Sequence, residues 1–251
     1  GDHYALVIGN NDYDESFSGW SPLKTAINDA NKIGEVLKDK YGFKVEILKN
    51  ATRNDFYIKL NEYSNILTEN DNLLIYYAGH GDVDPNTKQG YWVPIGAPKN
   101  QRFNWVKNEN FIDATKGIRA KHIIIIADAC FSGSLFKNVE YRGIGNDSEN
   151  LDREGIFYKM NRKKTRVAIT SGEVELVPDY IGDESDHSPF ASVLIDILND
   201  NNDVLPAGDL FTKIRDSLQI ISKRQSPVYG EFDLSKHEQN GDFLFVPSIF
   251  K

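Results

Sequence analysis

Four consecutive isoleucines, Ile123 to Ile126, followed by Ala127, restrict what this chain can become more than any other stretch. The run is short, β-branched and apolar throughout, without the alternation of a half-exposed strand. It suits a central strand of a parallel sheet covered on both faces. Asp128, Ala129 and Cys130 follow where such a strand ends, and Ser132-Gly133-Ser134 turns the chain. The single cysteine therefore stands just past the carboxyl end of the most apolar strand, on the edge where open α/β sheets bind ligands. Two readings of Cys130 stay open at this point. It is a nucleophile, or it is a buried thiol acting as a small hydrophobe.

The neighbouring patterns supply a sheet around that strand. Tyr4 to Gly9 reads as a first buried strand and Asn10 to Ser21 as a polar loop. Pro22 is placed as a first-turn residue of a helix. In that helix Leu23, Ala26, Ile27, Ala30, Ile33, Val36 and Leu37 recur at spacings of three and four, and Gly42 stops it. Phe43 to Leu48 reads as a second strand. A Thr52-x-x-Asp55 capping box opens a second helix, and Leu73 to Tyr77 forms a third strand. The β-α-β-α-β order argues a parallel sheet with right-handed crossovers. Gly90 to Ile95 reads as a short edge strand because Pro94 cannot donate to a ladder. Asn108 to Ile118 reads as a helix. Phe136 to Lys164 reads as one long loop, Arg166 to Thr170 as a further core strand, and Glu173 to Asp186 as an acidic loop. Ser188-Pro189 caps and starts a helix, Pro206 starts another, and Asp242 to Val246 reads as a last strand. The expected architecture is α/β, with a mostly parallel sheet of about six strands and helices on both faces.

Composition narrows the function classes. With 251 residues the chain holds one large α/β domain or two small ones. Its apolar runs are far shorter than a membrane span. One cysteine excludes an intramolecular disulfide and a zinc site built on paired thiols, and it fits a reducing, cytoplasmic setting. A formal charge of −8 makes nucleic acid and anionic lipid poor partners. The basic cluster Arg162-Lys163-Lys164 with Arg166 reads as a solvated or cleavable loop.

A thiol nucleophile needs a base within hydrogen-bond reach. His122 begins the strand that Cys130 follows, eight residues and roughly 26 Å away if extended. His3 lies at the amino end of the first strand. His187 falls in a loop before a helix, and His237 in a polar loop. His80 alone follows a strand directly at its carboxyl end, between Gly79 and Gly81, and shares an edge with Cys130 if the two strands are parallel neighbours.

These residues resemble a family. Tyr76-Tyr77-Ala78-Gly79-His80-Gly81 and Asp128-Ala129-Cys130-Phe131-Ser132-Gly133 look like the two active-site signatures of caspase-like cysteine proteases. The caspase pattern is Q-A-C-[RQG]-G with its histidine about 50 residues upstream, and here 130 − 80 = 50. Asp128 in place of the caspase Gln is similar to the metacaspase and prokaryotic caspase-homologue (orthocaspase) branch. So is the segment Leu23-Lys24-Thr25-Ala26-Ile27-Asn28-Asp29-Ala30. Phe190-Ala191, Gln225 to Gly230 and Gly241 to Phe245 extend the likeness over essentially the whole chain.

The resemblance implies a single peptidase domain over 1–251. Residues 1–135 would carry His80 and Cys130, 136–164 would be a linker often cut by the enzyme itself, and 165–251 would be the small-subunit-like part. It implies attack by Cys130 and protonation of the leaving amine by His80. Backbone N–H groups of Gly81 and Cys130 would form an oxyanion hole, with glycine needed because a side chain would crowd the substrate. It also implies an acidic pocket of Asp29 and Asp128, lined by Ser171, that takes P1 Arg or Lys of protein or peptide substrates. Arg142, before Gly143, leads the self-cleavage candidates, ahead of Arg153, Lys159 and Arg162 to Lys164. The acidic calcium ligands of metal-activated metacaspases are not matched, since Pro85 to Asn108 holds no Asp or Glu. No metal or cofactor is expected. A regulatory partner or a fused domain is compatible with the sequence. Two rival readings remain, a catalytically idle caspase-like interaction module and a Cys-His acyltransferase or thioesterase.

Overall fold

The structure, a computed structural model, describes residues 1–130, 152–172, 186–221 and 225–250. The isoleucine run lies in β7, His122–Asp128, every residue of which is buried. It is flanked on one side by β3 (Asn72–Ala78), β1 (His3–Gly9) and β2 (Lys44–Lys49), and on the other by β8 (Thr165–Thr170) and β10 (Val228–Glu231). The strand order is β10-β8-β7-β3-β1-β2. All pairs are parallel except β10 with β8.

Side chains alternate across this sheet, as the period of a strand dictates. Ile124 and Ile126 join one core with Val7, Tyr76, Ile169 and the helices α2 (Ala26–Tyr41), α6 (Pro189–Asp200) and α7 (Ala207–Ile221). Ile123 and Ile125 join the other with Leu6, Ile75, Tyr77 and the helices α3 (Arg53–Ile66) and α4 (Asn108–Thr115). Burial of each isoleucine contributes roughly 1.5–3 kcal/mol, and both faces must be covered to collect it. On the first face the Tyr41 hydroxyl donates to the Leu198 carbonyl at 2.9 Å, tying α2 to α6.

Local signals explain the helix ends. Gly42 stops α2 in the left-handed region at φ 66°, where its N–H satisfies the Lys38 carbonyl. Thr52 and Asp55 open α3, with the Thr52 N–H and hydroxyl both donating to Asp55 Oδ2. Ser188 caps α6 by accepting from Ala191 N–H at 2.9 Å, and Pro189 occupies its first turn.

Several expectations are corrected. Pro22 does not open α2, which begins at Ala26, and the loop before it holds a short helix α1, Glu15–Ser18. The segment Gly90 to Ile95 is not an edge of the main sheet. Gly90–Trp92 forms β5 at the centre of a small antiparallel sheet with β4 (Gly81–Val83) and β6 (Val106–Lys107). Trp92 anchors that sheet by stacking on Tyr77 and packing against Phe111. The sixth strand is β10 rather than Asp242 to Val246. Only Leu244–Phe245 is a strand there, β11, paired with β9 (Leu205–Pro206) outside the main sheet. The stretch from Phe136 to Lys164 is not one loop, because Arg153–Arg162 is helix α5, capped by Asp152 accepting from Gly155 N–H. Its apolar content is too sparse to show a period. Residues 136–151 of the stretch, and 173–185 of the acidic loop, lie outside the described residues. No helix among the described residues is long and apolar enough to cross a membrane.

Candidate active site

Register decides what meets at the carboxyl edge. Ala78 of β3 pairs with Asp128 of β7. His80 and Cys130 each stand two residues past that pair, so adjacent strands deliver both to one level. Contact follows at Gly81. A Cβ built there would lie 2.0 Å from the Cys130 carbonyl oxygen and 3.3 Å from its nitrogen. The expected reason for a glycine at this position, room for substrate, is therefore incomplete. Cys130's own backbone already fills the space a side chain would need. Cys130 is a free thiol of intermediate exposure.

The His80 segment is held from three sides. Its N–H donates to the Tyr13 hydroxyl at 3.0 Å, and its carbonyl accepts from the Tyr77 hydroxyl at 2.8 Å and from Val93 N–H at 2.9 Å. The Tyr13 hydroxyl in turn donates to the Val93 carbonyl at 2.9 Å. Burial pushes the Tyr13 hydroxyl up to about 12, and Tyr77 well above its ordinary value, so both stay protonated. The imidazole packs edge-on against Tyr13 at 4.6 Å and tilted against Trp20 at 5.1 Å. Its Nε2 lies 2.7 Å from the Ser21 carbonyl oxygen. A carbonyl only accepts, so Nε2 carries a proton and Nδ1 is left as the basic nitrogen of the neutral ring. Tyr13, Trp20 and Ser21 were not singled out by sequence reasoning. Tyr13 and Trp20, two of the three aromatics in a loop rich in Asn, Asp and Ser, were the signal available.

Asp29 and Asp128 come from α2 and from the end of β7, and both are buried. Strand alternation puts Tyr76, Asp128 and Ser171 on the face covered by α2 and α6. The start of α6 meets both acids. The Ser188 hydroxyl donates to Asp128 Oδ2, Ser188 N–H lies 3.4 Å from either oxygen of Asp29, and His187 Nδ1 lies 2.7 Å from Asp29 Oδ1. A helix amino end is a favourable place for negative charge. The Tyr76 hydroxyl feels both carboxylates, which add to burial in raising its pKa well above the ordinary value. Among the described residues the hydroxyls of Tyr76, Thr170 and Ser171 are buried without a hydrogen-bond partner. Ser171 itself is fixed by its N–H to the Ala127 carbonyl at 2.9 Å. Two buried carboxylates and these hydroxyls thus gather acidic and polar groups beside the strand that leads to Cys130.

The other histidines go elsewhere. His3 and His122 lie at the amino edge, where a cleft of about 480 Å³ opens beside them. Its lining holds neither Cys130 nor His80, which stand at the opposite edge. His237 is buried against Glu231 and accepts from Arg166 N–H. His187, set aside by sequence reasoning as a loop residue, is instead a partner of Asp29. Arg142 lies outside the described residues, while Arg153, Lys159 and Arg162 belong to α5. Among the described residues no three His, Cys, Asp or Glu side chains cluster in a way that would hold a metal ion.

Comparison with known proteins follows from this geometry. The family model of the caspase domain of the C14 peptidases matches residues 2–238. No curated protein matches the sequence. A crystal structure of a protein from Geobacter sulfurreducens is similar in fold, with a TM-score of 0.65 and 16% identity, covering 97% of this chain and 100% of that one. At that identity the likeness concerns the fold alone.

Proposed function

The chain belongs to the caspase-domain family of C14 peptidases, and from that premise we propose that it is an active cysteine endopeptidase that cuts after arginine or lysine. The observation that carries the reading is the Ala78–Asp128 register, which delivers His80 and Cys130 to one level of one edge. Cys130 Sγ attacks the scissile carbonyl as a thiolate, and the thiol proton passes to His80 Nδ1. The carbon–nitrogen bond then breaks, and the leaving amine takes that proton from His80. Water hydrolyses the thioester, returning the acid and the free thiol. The Ser21 carbonyl supports the imidazolium through its Nε2–H, the part a carboxylate takes in other triads. Backbone N–H groups of Gly81 and Cys130 stabilise the oxyanion.

Asp29 and Asp128 support the basic specificity. A guanidinium or ammonium reaching buried carboxylates gains charge-assisted hydrogen bonds, and arginine gains them in pairs. A P1 aspartate would meet like charge. The substrates are proteins or peptides. The same preference bears on the enzyme's own 136–164 segment, where Arg142 before Gly143 is the first candidate for self-cleavage. Such a cut would leave a 1–142 part with the 1–135 region and a 143–251 part with the 165–251 region.

Matched peptides ending in Arg, Lys or Asp, offered to the wild type and to Cys130→Ala, test the reading. Hydrolysis after Arg and Lys, absent in the variant, is expected. Turnover of thioesters without turnover of peptides would favour an acyltransferase or thioesterase, and no turnover of either would favour an interaction module. Fragment masses from wild type and Cys130→Ala, followed against concentration, test self-processing.

A further inference from the structure

The basic cluster around Arg166 is not part of the catalytic edge. Arg166 lies in β8 and is only 2% exposed. Its guanidinium donates to the carbonyls of Ala120, Lys121 and Thr165. Nε finds no partner among the described residues. No carboxylate there forms an ion pair with it, and Asp233 acts on it only at longer range. A buried cation held by carbonyls alone is costly unless charge nearby compensates it. Burial correspondingly pulls the guanidinium down to about 10.

Arg166 lines a cleft of about 290 Å³ at the amino edge of the sheet, where β7 and β8 begin. The cleft lies about 20 Å, the length of β7, from the catalytic edge. Lys116, Arg119, Lys164 and Lys236 also line it, against Glu69 and Glu238. Five cations face Glu69 and Glu238 in the wall, with Asp113 on Lys116 and Asp233 near Arg166, so the immediate surroundings keep a net positive charge of 5 − 4 = +1 in a chain of −8. Lys116 is committed to Asp113, and Lys236 to the Lys116 carbonyl. Glu238 accepts from Lys164 N–H. The side chains of Arg119 and Lys164 are exposed and have no partner among the described residues. His237, also in the wall, is lowered by burial and adds no charge at neutral pH.

We propose that this cleft is a second site, which takes a small anion carrying two or three phosphate groups between Arg119, Lys164 and the wall formed by Arg166. Guanidinium forks match phosphate oxygens, and Arg119, Lys164 and the wall residue Arg166 supply three cations that form no ion pair among the described residues, as a di- or triphosphate requires. The acidic surface elsewhere disfavours a long polyanion. Among the described residues Ile118 is the only apolar side chain in the wall, too little to seat a nucleobase. The site reads phosphates and not what they are attached to.

Calorimetric titration of the full chain with pyrophosphate, tripolyphosphate, ADP and citrate at fixed ionic strength tests this. The variants are Arg119→Glu with Lys164→Glu, the conservative Arg119→Lys with Lys164→Arg, and Lys213→Glu on the exposed face of α7 as a control. Charge reversal should weaken tripolyphosphate by at least about tenfold, or roughly 1.4 kcal/mol. The conservative pair and the control should stay within about threefold of wild type. Absence of binding by the wild type, or equal affinity in the charge-reversed and wild-type proteins, would overturn the site. Citrate binding as tightly as tripolyphosphate would overturn the phosphate class, and ADP about tenfold tighter than pyrophosphate would overturn the absence of base recognition. Circular dichroism of the charge-reversed protein separates lost binding from lost folding.

Discussion

Replacing Gly81 with alanine should displace Cys130, the proposed nucleophile, without touching the side chain of Cys130 or His80. The added Cβ would stand 2.0 Å from the Cys130 carbonyl oxygen, where ordinary contacts begin at 3.4 Å. With 3.4 against 2.0, one backbone must yield by about 1.4 Å. The Gly81 side has little freedom. Gly81 pairs with Trp92 in β4, and the preceding His80 is fixed through Tyr13, Tyr77 and Val93. The Cys130 side therefore moves. Misplacement of about 1 Å at a reacting group can cost about a hundredfold, so kcat should fall by at least that factor. Overpacking of this kind costs roughly 1–3 kcal/mol of stability, and the protein should still fold. The assay is steady-state cleavage of a P1 Arg peptide together with urea unfolding, comparing Gly81→Ala with Gly79→Ala. The latter Cβ would meet the Tyr77 and Tyr13 hydroxyls at 2.6 and 2.9 Å, not Cys130. It should disturb the His80 support and leave the Cys130 backbone in place. A Gly81→Ala enzyme with kcat within about threefold of wild type would refute the claim that this contact sets the position of the nucleophile.

Other expectations follow from the same contacts. Cys130→Ala should abolish cleavage, His80→Ala should lower it by orders of magnitude, and both should melt close to wild type; near-normal turnover in His80→Ala would remove it from the dyad. Asp128→Ala should lose most activity toward P1 Arg, and a wild type that prefers P1 Asp would contradict the proposed role of Asp29 and Asp128. Ser188→Ala removes both the α6 cap and a hydrogen bond to buried Asp128, and should cost about 1–3 kcal/mol in urea unfolding. Two buried groups should give the stability curve opposing slopes below neutrality. His122 is lowered by burial from 6.5 to about 4, so the stability it contributes is present above pH 6.5 and lost as pH falls toward 4. Asp242 is raised by burial from 3.8 to about 6, so its contribution is present at low pH and lost as pH rises through that window. Each effect is on the order of 3 kcal/mol. Urea unfolding between pH 4 and 7 should then slope downward with pH in His122→Gln and upward in Asp242→Asn, and identical slopes in the two variants would show that neither group titrates as described.

What the sequence determined by itself was whatever neighbouring residues impose. The isoleucine run required burial on both faces, Thr52 with Asp55 and Ser188 with Pro189 marked helix starts, Gly42 marked a stop, and the two strand-end signatures at His80 and Cys130 carried the family likeness. These signals are local because strand period, capping and left-handed turns depend on a few consecutive residues. The tertiary structure decided what depends on distant segments meeting. Nothing near Gly81 in the chain announces that Cys130's carbonyl fills the space beside it, and nothing near Ser21 announces its bond to His80. The pairing of His187 with Asp29 spans 158 residues. Asp242 to Val246 has the pattern of a last strand, yet the strand that completes the main sheet is Val228–Glu231, because antiparallel pairing with β8 is a property of two segments and not of either alone. Arg166 looked like part of a solvated basic run, since a charged residue in a strand gives no local sign of burial. The three carbonyls of Ala120, Lys121 and Thr165 that receive its guanidinium meet there only in the folded chain.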